Sequence, residues 1–244
     1  MNPTNQSNTG VSGRTLKQQL VDELGFSIVS KELAPGTLLQ LEPISNQKQV
    51  SMSVVREAVS ILTSLGLVES KKKLGTVVLP TESWNHSSAE IITWRLRDPK
   101  QRLAQFRWLV ELRYALEPMA ARLAAENRSE ESGQRLMKLT EELIDYGEKG
   151  EMDAFLRTDI EFHEIILRET GNPLIASMSQ HLDVVLSARH SYGLMPSHPD
   201  IAAMHFHRML AHGIQEQSSE RAYRAAVLIV DQATEEFLKT NGET

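Results

Sequence analysis

The sequence has no cysteine and no long apolar run, and each absence removes a class of protein from consideration. Without cysteine the chain can build neither a disulfide framework nor a thiolate metal site, which is typical of the reducing cytoplasm. No apolar stretch approaches the roughly 20 residues that span a bilayer. A phosphate-cradling glycine motif and internal repeats are also missing. The 244 residues are 41% hydrophobic and 24% charged, which predicts a globular cytoplasmic protein of two compact domains.

Charge is unevenly distributed along a chain whose net charge is −6. Residues 14–80 carry eight lysines and arginines against six acidic residues, whereas the rest carries 18 against 26. Only the first part can therefore approach nucleic-acid phosphates over a broad surface. Because its surplus is small, strong binding to DNA needs two copies of the chain, which predicts a homodimer. Residues 1–13 are polar, so we expect a disordered arm there rather than a signal peptide.

Residues 50–78 predict a helix, a tight turn and a basic β-hairpin. Apolar residues recur at helical spacing, Ser51 or Ser53 can cap the helix, and Gly66 can end it. In a winged helix-turn-helix such a helix enters the major groove of DNA, and the wing contacts phosphates. A structural hairpin with solvated lysines is the alternative. The lysines at the predicted tip are Lys71, Lys72 and Lys73.

The flanking segments fit a DNA-binding domain followed by a separate helical one. With helices expected before the recognition helix, a winged helix-turn-helix (α+β) domain is predicted over 14–79. The polar stretch 80–88 is the expected linker. Helical periodicity from there on predicts an all-α antiparallel bundle over 89–240. Within the bundle we expect Pro118 to kink or split a long helix and Pro173 to open a helix that ends near residue 192.

Three polar residues of the helical part are candidate metal ligands. Asp159 and His163 are four residues apart, so that both side chains leave the same face of a helix. This spacing suits two ligands of one metal ion, although the same pattern is frequent on solvated faces. His207 belongs to a helix whose neighbouring apolar residues point inward, whereas His205 and His212 are expected to face solvent.

Two arginines are candidates for binding an anion. Arg113 lies among apolar residues of the long helix, and a buried arginine needs a negative partner. That partner is either a ligand or an internal carboxylate, namely Glu117 or Glu111. Arg189 is a weaker candidate for the same role.

Six short segments form a recognisable set. They are L-A-P-G-T at 33–37, V-S-x-x-x-V-R-E-A at 50–58, G-L-V-E at 66–69, E-x-R-x-x-x-E-P at 111–118, D-x-x-F-H at 159–163 and G-N-P at 171–173. Together they resemble the GntR family of transcriptional regulators, in its FadR subfamily with a helical FCD ligand-binding domain. The resemblance covers residues 14–240, and the linker and the segment after it look most like repressors of sugar-acid operons.

The resemblance implies a metal site and an effector pocket in the helical domain. In that family one aspartate and three histidines hold the metal, and Asp159, His163 and His207 match three of them, whereas Ile229 stands where the fourth is expected. Three ligands could still hold Zn²⁺ or a similar divalent ion with open positions. Alternatively the site has lost its metal and binds the effector directly. The implied effector-binding residues are Asp159, His163, His207, Arg113 and Arg189.

The DNA-binding segment departs from the family pattern. Met52 stands in place of the arginine that follows Val-Ser, and the preceding helix lacks its expected arginine. Because arginine is the usual reader of guanine, the operator should differ from that of typical relatives. The expected DNA-binding residues are Gln49, Ser51, Ser53 and Arg56 for the bases and Lys71, Lys72 and Lys73 for the backbone.

These observations predict a dimeric transcriptional repressor rather than an enzyme. Its partners would be operator DNA and a small carboxylate effector, of which a sugar acid is the expected class. One alternative is a metal-dependent hydrolase built on Asp159, His163 and His207, but no glutamate lies at a spacing that suggests a general base. The other is a DNA-binding module whose C-terminal domain only dimerises.

Overall fold

The computed structural model describes residues 15–191 and 201–240. The chain forms two compact units, and the division falls between Arg95 and Leu96. The arm expected at 1–13 lies outside the described residues. Among the described helices, none is both long and apolar enough to cross a membrane.

Residues 15–78 of the first unit form three helices and a small sheet. Helix α1 spans Leu16–Val29, α2 spans Leu41–Lys48 and α3 spans Met52–Ser64. The first helix begins at Thr15, whose side chain forms a reciprocal capping box with Gln18. Strands β1 (Leu38–Leu39), β2 (Val68–Lys71) and β3 (Gly75–Val78) pair antiparallel in the order β1-β3-β2. The order of elements and the terminal hairpin are those of a winged helix-turn-helix.

The recognition helix α3 is anchored by its apolar face. Val55, Ala58 and Leu62 are fully buried, and α3 packs against α1, α2 and β2. Such burial is worth about 1.5–3 kcal/mol for each large apolar side chain, so the helix is positioned by the core and not by its own propensity. The core of this unit also includes Ile28 and Leu67.

The segment 80–88 packs onto the first unit. Residues Thr81–Ser83 form a turn of 3₁₀-helix, Trp84 is buried in the core, and the Asn85 amide donates to the carbonyl of Leu65 at 2.9 Å. Helix α4 follows at Ala89–Arg97, and the Trp94 indole donates to Asp22 Oδ1 at 2.8 Å. Trp84 and Trp94 are both buried in the core of the first unit. The structural division therefore lies later in the chain than the linker expected at 80–88.

The second unit is an all-helical bundle. Helix α5 runs along α11 and also packs on α7, α9 and α10, while α6 packs on α7 and α10. Its buried core is built largely of alanine, leucine, isoleucine and phenylalanine side chains. The helices are α5 (Pro99–Asn127), α6 (Glu130–Lys149), α7 (Met152–Arg168), α8 (Pro173–Ala176), α9 (Ser179–Ser191), α10 (Ile201–Gln215) and α11 (Ser219–Thr240).

Helix α5 continues without a break through Pro118. Of the kink or split expected at Pro118, the split was wrong: the proline is buried, and the continuous helix packs against its neighbours. The ion pair between Arg113 and Glu117 also spans the turn in which Pro118 lacks a donor. The result is a single rod of 29 residues, about 43 Å long at 1.5 Å per residue.

The helix that Pro173 begins is shorter than expected. Helix α8 ends at Ala176 and α9 begins at Ser179, so that two helices stand where one was predicted. The Ser177 hydroxyl donates to the carbonyl of Leu174 at 2.8 Å, which is the kind of local bond that competes with helix continuation. The start at Pro173 is as predicted, with Asn172 as its cap.

Two glycines of the first unit offer a matched stability test. Gly66 and Gly36 both have positive φ, 74° and 86°. A Cβ on Gly66 would lie 2.1 Å from the carbonyl oxygen of Ser83, whereas a Cβ on Gly36 would meet nothing within 4 Å. We expect Gly36→Ala to lower the free energy of unfolding by about 1–2 kcal/mol, from backbone strain alone. Gly66→Ala should lower it by about 1–3 kcal/mol more, because the backbone at Ser83 must move. Urea unfolding followed by tryptophan fluorescence measures both free energies. Equal losses of stability in the two variants would show that the backbone at Ser83 moves without a cost in free energy.

Candidate functional site

The exposed face of α3 presents the polar residues that the sequence singled out. Ser53 and Arg56 are exposed, on the side opposite the buried Val55 and Ala58. Next to Arg56, Glu57 forms an ion pair with Lys17 of α1 at 3.4 Å. Because Glu57 pairs with Lys17, it is not the ion-pair partner of Arg56. Arg56 thus presents its positive charge on the side of the helix that faces the major groove in a winged helix-turn-helix.

Gln49 and Ser51 shape the turn that leads into α3. Gln49 adopts the left-handed conformation, with φ 53°, and ends α2. Ser51 is the N-cap of α3, and its side chain accepts from the Val54 amide at 3.4 Å. The cap leaves the Ser51 hydroxyl proton available to an outside acceptor. Of the two serines considered as caps, it is Ser51 that has this role.

The hairpin places its lysines in solvent at the tip. Lys71 ends β2 and pairs with Glu69 at 2.8 Å, and both side chains are about half exposed. Lys72 and Lys73 lie in the exposed turn that follows, where Lys73 has φ 67°. Because Lys71 already has a carboxylate neighbour, Lys72 and Lys73 offer the less compensated charges to a phosphate.

In the second unit, helices α7 and α10 bring the three predicted metal ligands together. Asp159, His163 and His207 are all buried, and each offers one ligand atom within 4.8 Å of the others. Asp159 Oδ1 lies 3.0 Å from His207 Nε2 and 3.5 Å from His163 Nε2. His163 Nε2 has no hydrogen-bond partner among the described residues although it is fully buried.

The hydrogen bonds of His207 orient its second nitrogen for ligation. Its Nδ1 lies 2.7 Å from the carbonyl oxygen of Ala203, which can only accept, so Nδ1 carries a proton. In the neutral ring Nε2 is then an acceptor that faces a second acceptor, Asp159 Oδ1, at 3.0 Å. A cation between these atoms, either a proton or a metal ion, removes the conflict. A backbone carbonyl behind a ligating imidazole is the usual support of a metal-bound histidine.

The electrostatics of the cluster keep Asp159 ionised. Burial by itself raises the pKa of this carboxyl, but the hydrogen bond with His207 and electrostatic attraction to His163 and His207 hold its pKa well below the ordinary range. A carboxylate is the form in which aspartate ligates a metal. The donor set of one carboxylate and two imidazoles fits Zn²⁺ and related divalent ions.

Arg113 pairs with Glu117 inside the bundle. Its Nε and Nη2 donate to the two carboxylate oxygens of Glu117 at 2.5 and 3.3 Å, and both residues are buried. Burial opposes ionisation of each group, yet mutual attraction raises the pKa of Arg113 and lowers that of Glu117. Of the two acidic partners considered, the structure shows Glu117, while Glu111 is exposed.

Glu117 also connects the ion pair to the histidine cluster. Its Oε2 lies 3.4 Å from His163 Nδ1, so that Arg113, Glu117, His163, Asp159 and His207 form one continuous polar chain. The sequence suggested Glu117 only as a possible ion-pair partner. The signal for its larger role was its spacing of four residues from Arg113 on the inward face of α5.

Among the described residues, the cavity found beside this polar chain is small. A cavity of about 10 Å³ is lined by Glu117 and His163 together with apolar side chains of α5, α7, α9, α10 and α11. That volume is room for one water molecule and not for a sugar acid. Ile229 is buried in the apolar core. Its side chain has no donor atom for a metal ion. The side chain of Arg189 lies outside the described part of the structure.

Comparisons with known protein families match both units. The FCD domain family matches residues 109–232, and the family described as bacterial regulatory proteins, gntR family, matches residues 16–78. The first range contains the whole polar chain of α5, α7 and α10, and the second contains α1 to the wing.

Two relatives match nearly nine tenths of the chain, and a third matches about two thirds of it. The regulator YieP of Escherichia coli is 28% identical over 87% of this chain and 91% of its own length. The galactonate operon transcriptional repressor of Escherichia coli is 26% identical over 88% of this chain and 94% of its own length. The regulator LutR of Bacillus subtilis is 32% identical over 65% of this chain and 70% of its own length.

Solved structures share the fold at lower identity. Lar of Listeria monocytogenes superposes with a TM-score of 0.57 at 16% identity, covering 94% of this chain and 99% of that one. McbR/YncC of Escherichia coli gives a TM-score of 0.53 at 20% identity over 93% and 99% of the two chains. At these identities the likeness concerns the fold alone.

The buried ion pair on α5 leads to a stability prediction. We expect Glu117→Gln to lower the free energy of unfolding of the helical unit by about 3–5 kcal/mol, because it leaves the Arg113 charge buried and unpaired. Glu111→Gln, on the exposed face of the same helix, should change it by less than about 0.5 kcal/mol. The double variant Arg113→Met with Glu117→Leu removes both charges and should recover most of the loss. Urea unfolding followed by circular dichroism measures these free energies. An unchanged free energy of unfolding in Glu117→Gln would contradict the ion pair with Arg113.

Proposed function

This chain belongs to the GntR family of bacterial regulatory proteins with an FCD domain, and we propose that it is a homodimeric repressor of a sugar-acid catabolic operon. The observation that carries the proposal is the combination of an exposed recognition face in a winged helix-turn-helix with a buried metal-ligand cluster in an FCD domain. Its family and relatives are transcriptional regulators and not enzymes, so the hydrolase alternative loses its support. A regulator of this kind acts on the chromosome in the cytoplasm.

In this proposal two copies read a palindromic operator. The exposed Ser53 and Arg56 of α3 meet base edges, with Gln49 and Ser51 at the start of the helix. Lys71 to Lys73 of the wing contact the phosphate backbone. The small positive surplus of residues 14–80 supports two copies, since one domain alone has few charges with which to displace counterions.

Arg56 provides the test of DNA recognition. We expect Arg56→Ala to weaken operator binding by about 1–3 kcal/mol, because the helix loses the one arginine that can donate to a guanine edge. Fluorescence anisotropy measures it, with an operator that the wild-type protein selects from random-sequence DNA. Arg157→Ala removes the same charge from an exposed position on α7 and serves as control. Equal binding by Arg56→Ala and the wild type would show that another residue reads the operator.

We propose that Asp159, His163 and His207 hold a divalent metal ion of the Zn²⁺ class. The unpartnered Nε2 of buried His163 and the opposed acceptors of His207 and Asp159 support it. Bound there, the ion would supply a Lewis-acid anchor for a carboxylate. Because Ile229 provides no fourth ligand, positions remain open for water or for oxygens of the effector.

The proposed effector is a small carboxylate, with aldonates as the first class to examine. The likeness to the galactonate operon repressor of Escherichia coli is the reason for choosing this class. The cavity of about 10 Å³ beside Glu117 and His163 is smaller than such a molecule, so in this proposal the helices around it separate when the effector binds. The effector then stabilises a more open bundle, and it releases DNA only if that form binds the operator less well.

A second candidate is a helical domain that dimerises and binds no effector. The small cavity favours this alternative, since a preformed ligand pocket is usually of several hundred cubic ångströms. In that case the polar chain from Arg113 to His207 has a purely structural role.

Metal content and aldonate binding separate these possibilities. We expect about one divalent ion per chain in the purified protein, lost in His207→Ala because one of three ligands is removed. His205→Ala, two residues away and exposed on the same helix, should keep the metal. Elemental analysis gives the metal content, and calorimetric titration with D-galactonate and related aldonates should show binding to the wild type and to His205→Ala.

Each other outcome has a definite meaning. Equal metal content in His207→Ala and the wild type would refute the proposed ligand set. Aldonate binding without metal would mean that the polar cluster binds the carboxylate directly. Metal without binding of any aldonate would refute the sugar-acid class and favour the purely dimerising domain.

A further inference from the structure

Helix α5 carries a line of exposed apolar side chains. Its remaining faces pack against α7, α9, α10 and α11. Trp108 is 49% exposed, Leu112 37% and Met119 44%, and Ala104 and Ala115 are exposed as well. Positions separated by three or four residues lie on one side of an α-helix. These five residues are called the α5 stripe below.

The order of side chains along the α5 stripe makes it complementary to itself. Trp108 and Met119 are equally distant from a point between residues 113 and 114, and so are Leu112 and Ala115. When two copies of α5 lie antiparallel about that point, each indole meets a methionine and each leucine meets an alanine. The flexible thioether packs well against an aromatic ring, and large side chains fit opposite small ones.

Charges at the two ends of the helix favour the same arrangement. Lys100 is exposed at the N-terminal end of the stripe and Glu126 at the C-terminal end. In an antiparallel pair Lys100 of each copy lies near the partner's Glu126, and two-fold symmetry repeats this contact. A parallel pair would instead place like charges together. Glu111 lies at the margin of the stripe, where protein interfaces normally carry charge.

We propose that the α5 stripe is the surface on which a second copy of this chain docks, with the two α5 helices antiparallel. The inference rests on the homodimer of the proposed function and adds to it the surface and the orientation. Between residues 100 and 126 the contact runs for about 39 Å along the helix. Tryptophan and methionine are the residue types in which interface cores are enriched.

The test uses the full-length protein and a matched pair of variants. Leu112→Glu places a charge at the centre of the stripe, and we expect it to raise the dimer dissociation constant by about 30-fold or more, as for a central contact of an interface. Met209→Glu makes the same change at a residue of α10 that is 39% exposed, and it should leave dimerisation unchanged. Sedimentation equilibrium over a range of concentrations gives the constants, and circular dichroism verifies that each variant remains helical.

Charge reversal tests the orientation independently. Lys100→Glu and Glu126→Lys should each weaken the dimer by about threefold to tenfold at low salt. The double variant restores opposite charges at both contacts, so its dissociation constant should return to within about threefold of the wild type.

The outcomes that overturn the inference differ from those that overturn the proposed function. A wild-type dimer that Leu112→Glu leaves intact would refute this surface while the homodimer stands. Loss with Leu112→Glu but no rescue by the double charge reversal would refute the antiparallel arrangement. A wild type that is monomeric at every concentration would refute the homodimer itself, and the stripe would then not join copies of this chain.

Discussion

The helical unit depends on a chain of buried ionisable groups that compensate one another. An isolated charge in an apolar interior costs several kcal/mol, so each group needs its neighbour at short range. Arg113 is held by Glu117, Glu117 approaches His163, and His163 and His207 converge on Asp159. Because these residues come from α5, α7 and α10, the chain fixes how the three helices pack. The apolar core around it supplies most of the free energy of folding, but the polar chain selects one arrangement of those helices.

In the winged unit, the two faces of α3 have separate roles. One face of α3 is buried among apolar side chains, and the opposite face is left polar and exposed. The burial of Val55 and Leu62 therefore determines where Ser53 and Arg56 point. In the recognition proposed above, α3 offers one arginine for contacting bases, so the shape of the DNA and its backbone would contribute more than they do in a protein that uses several arginines.

Much of the fold and part of the site could be predicted from the sequence, because both depend on local patterns. The spacing of Asp159 and His163, and the apolar residues around His207, are readable from one helix at a time, and the structure brings these residues together. The partner of Arg113 could not be chosen from the sequence, since Glu111 and Glu117 are both near it and only the packing shows which is buried. The split that Pro118 allowed does not occur for a related reason: the tertiary contacts of α5 outweigh one missing hydrogen bond. The volume of the cavity has no counterpart in any sequence pattern, because side chains from five helices determine it.

The unbroken course of α5 has a consequence for regulation. The same helix carries the α5 stripe on one side and the buried Arg113 and Glu117 on the other. Because α5 continues through Pro118, a shift of the helix beside the polar chain also moves its exposed face. If two copies meet along this helix, effector binding in one copy is coupled to binding in the other through the α5 stripe. When the first effector raises the affinity for the second, the gene switches over a narrower range of metabolite concentration than independent sites allow.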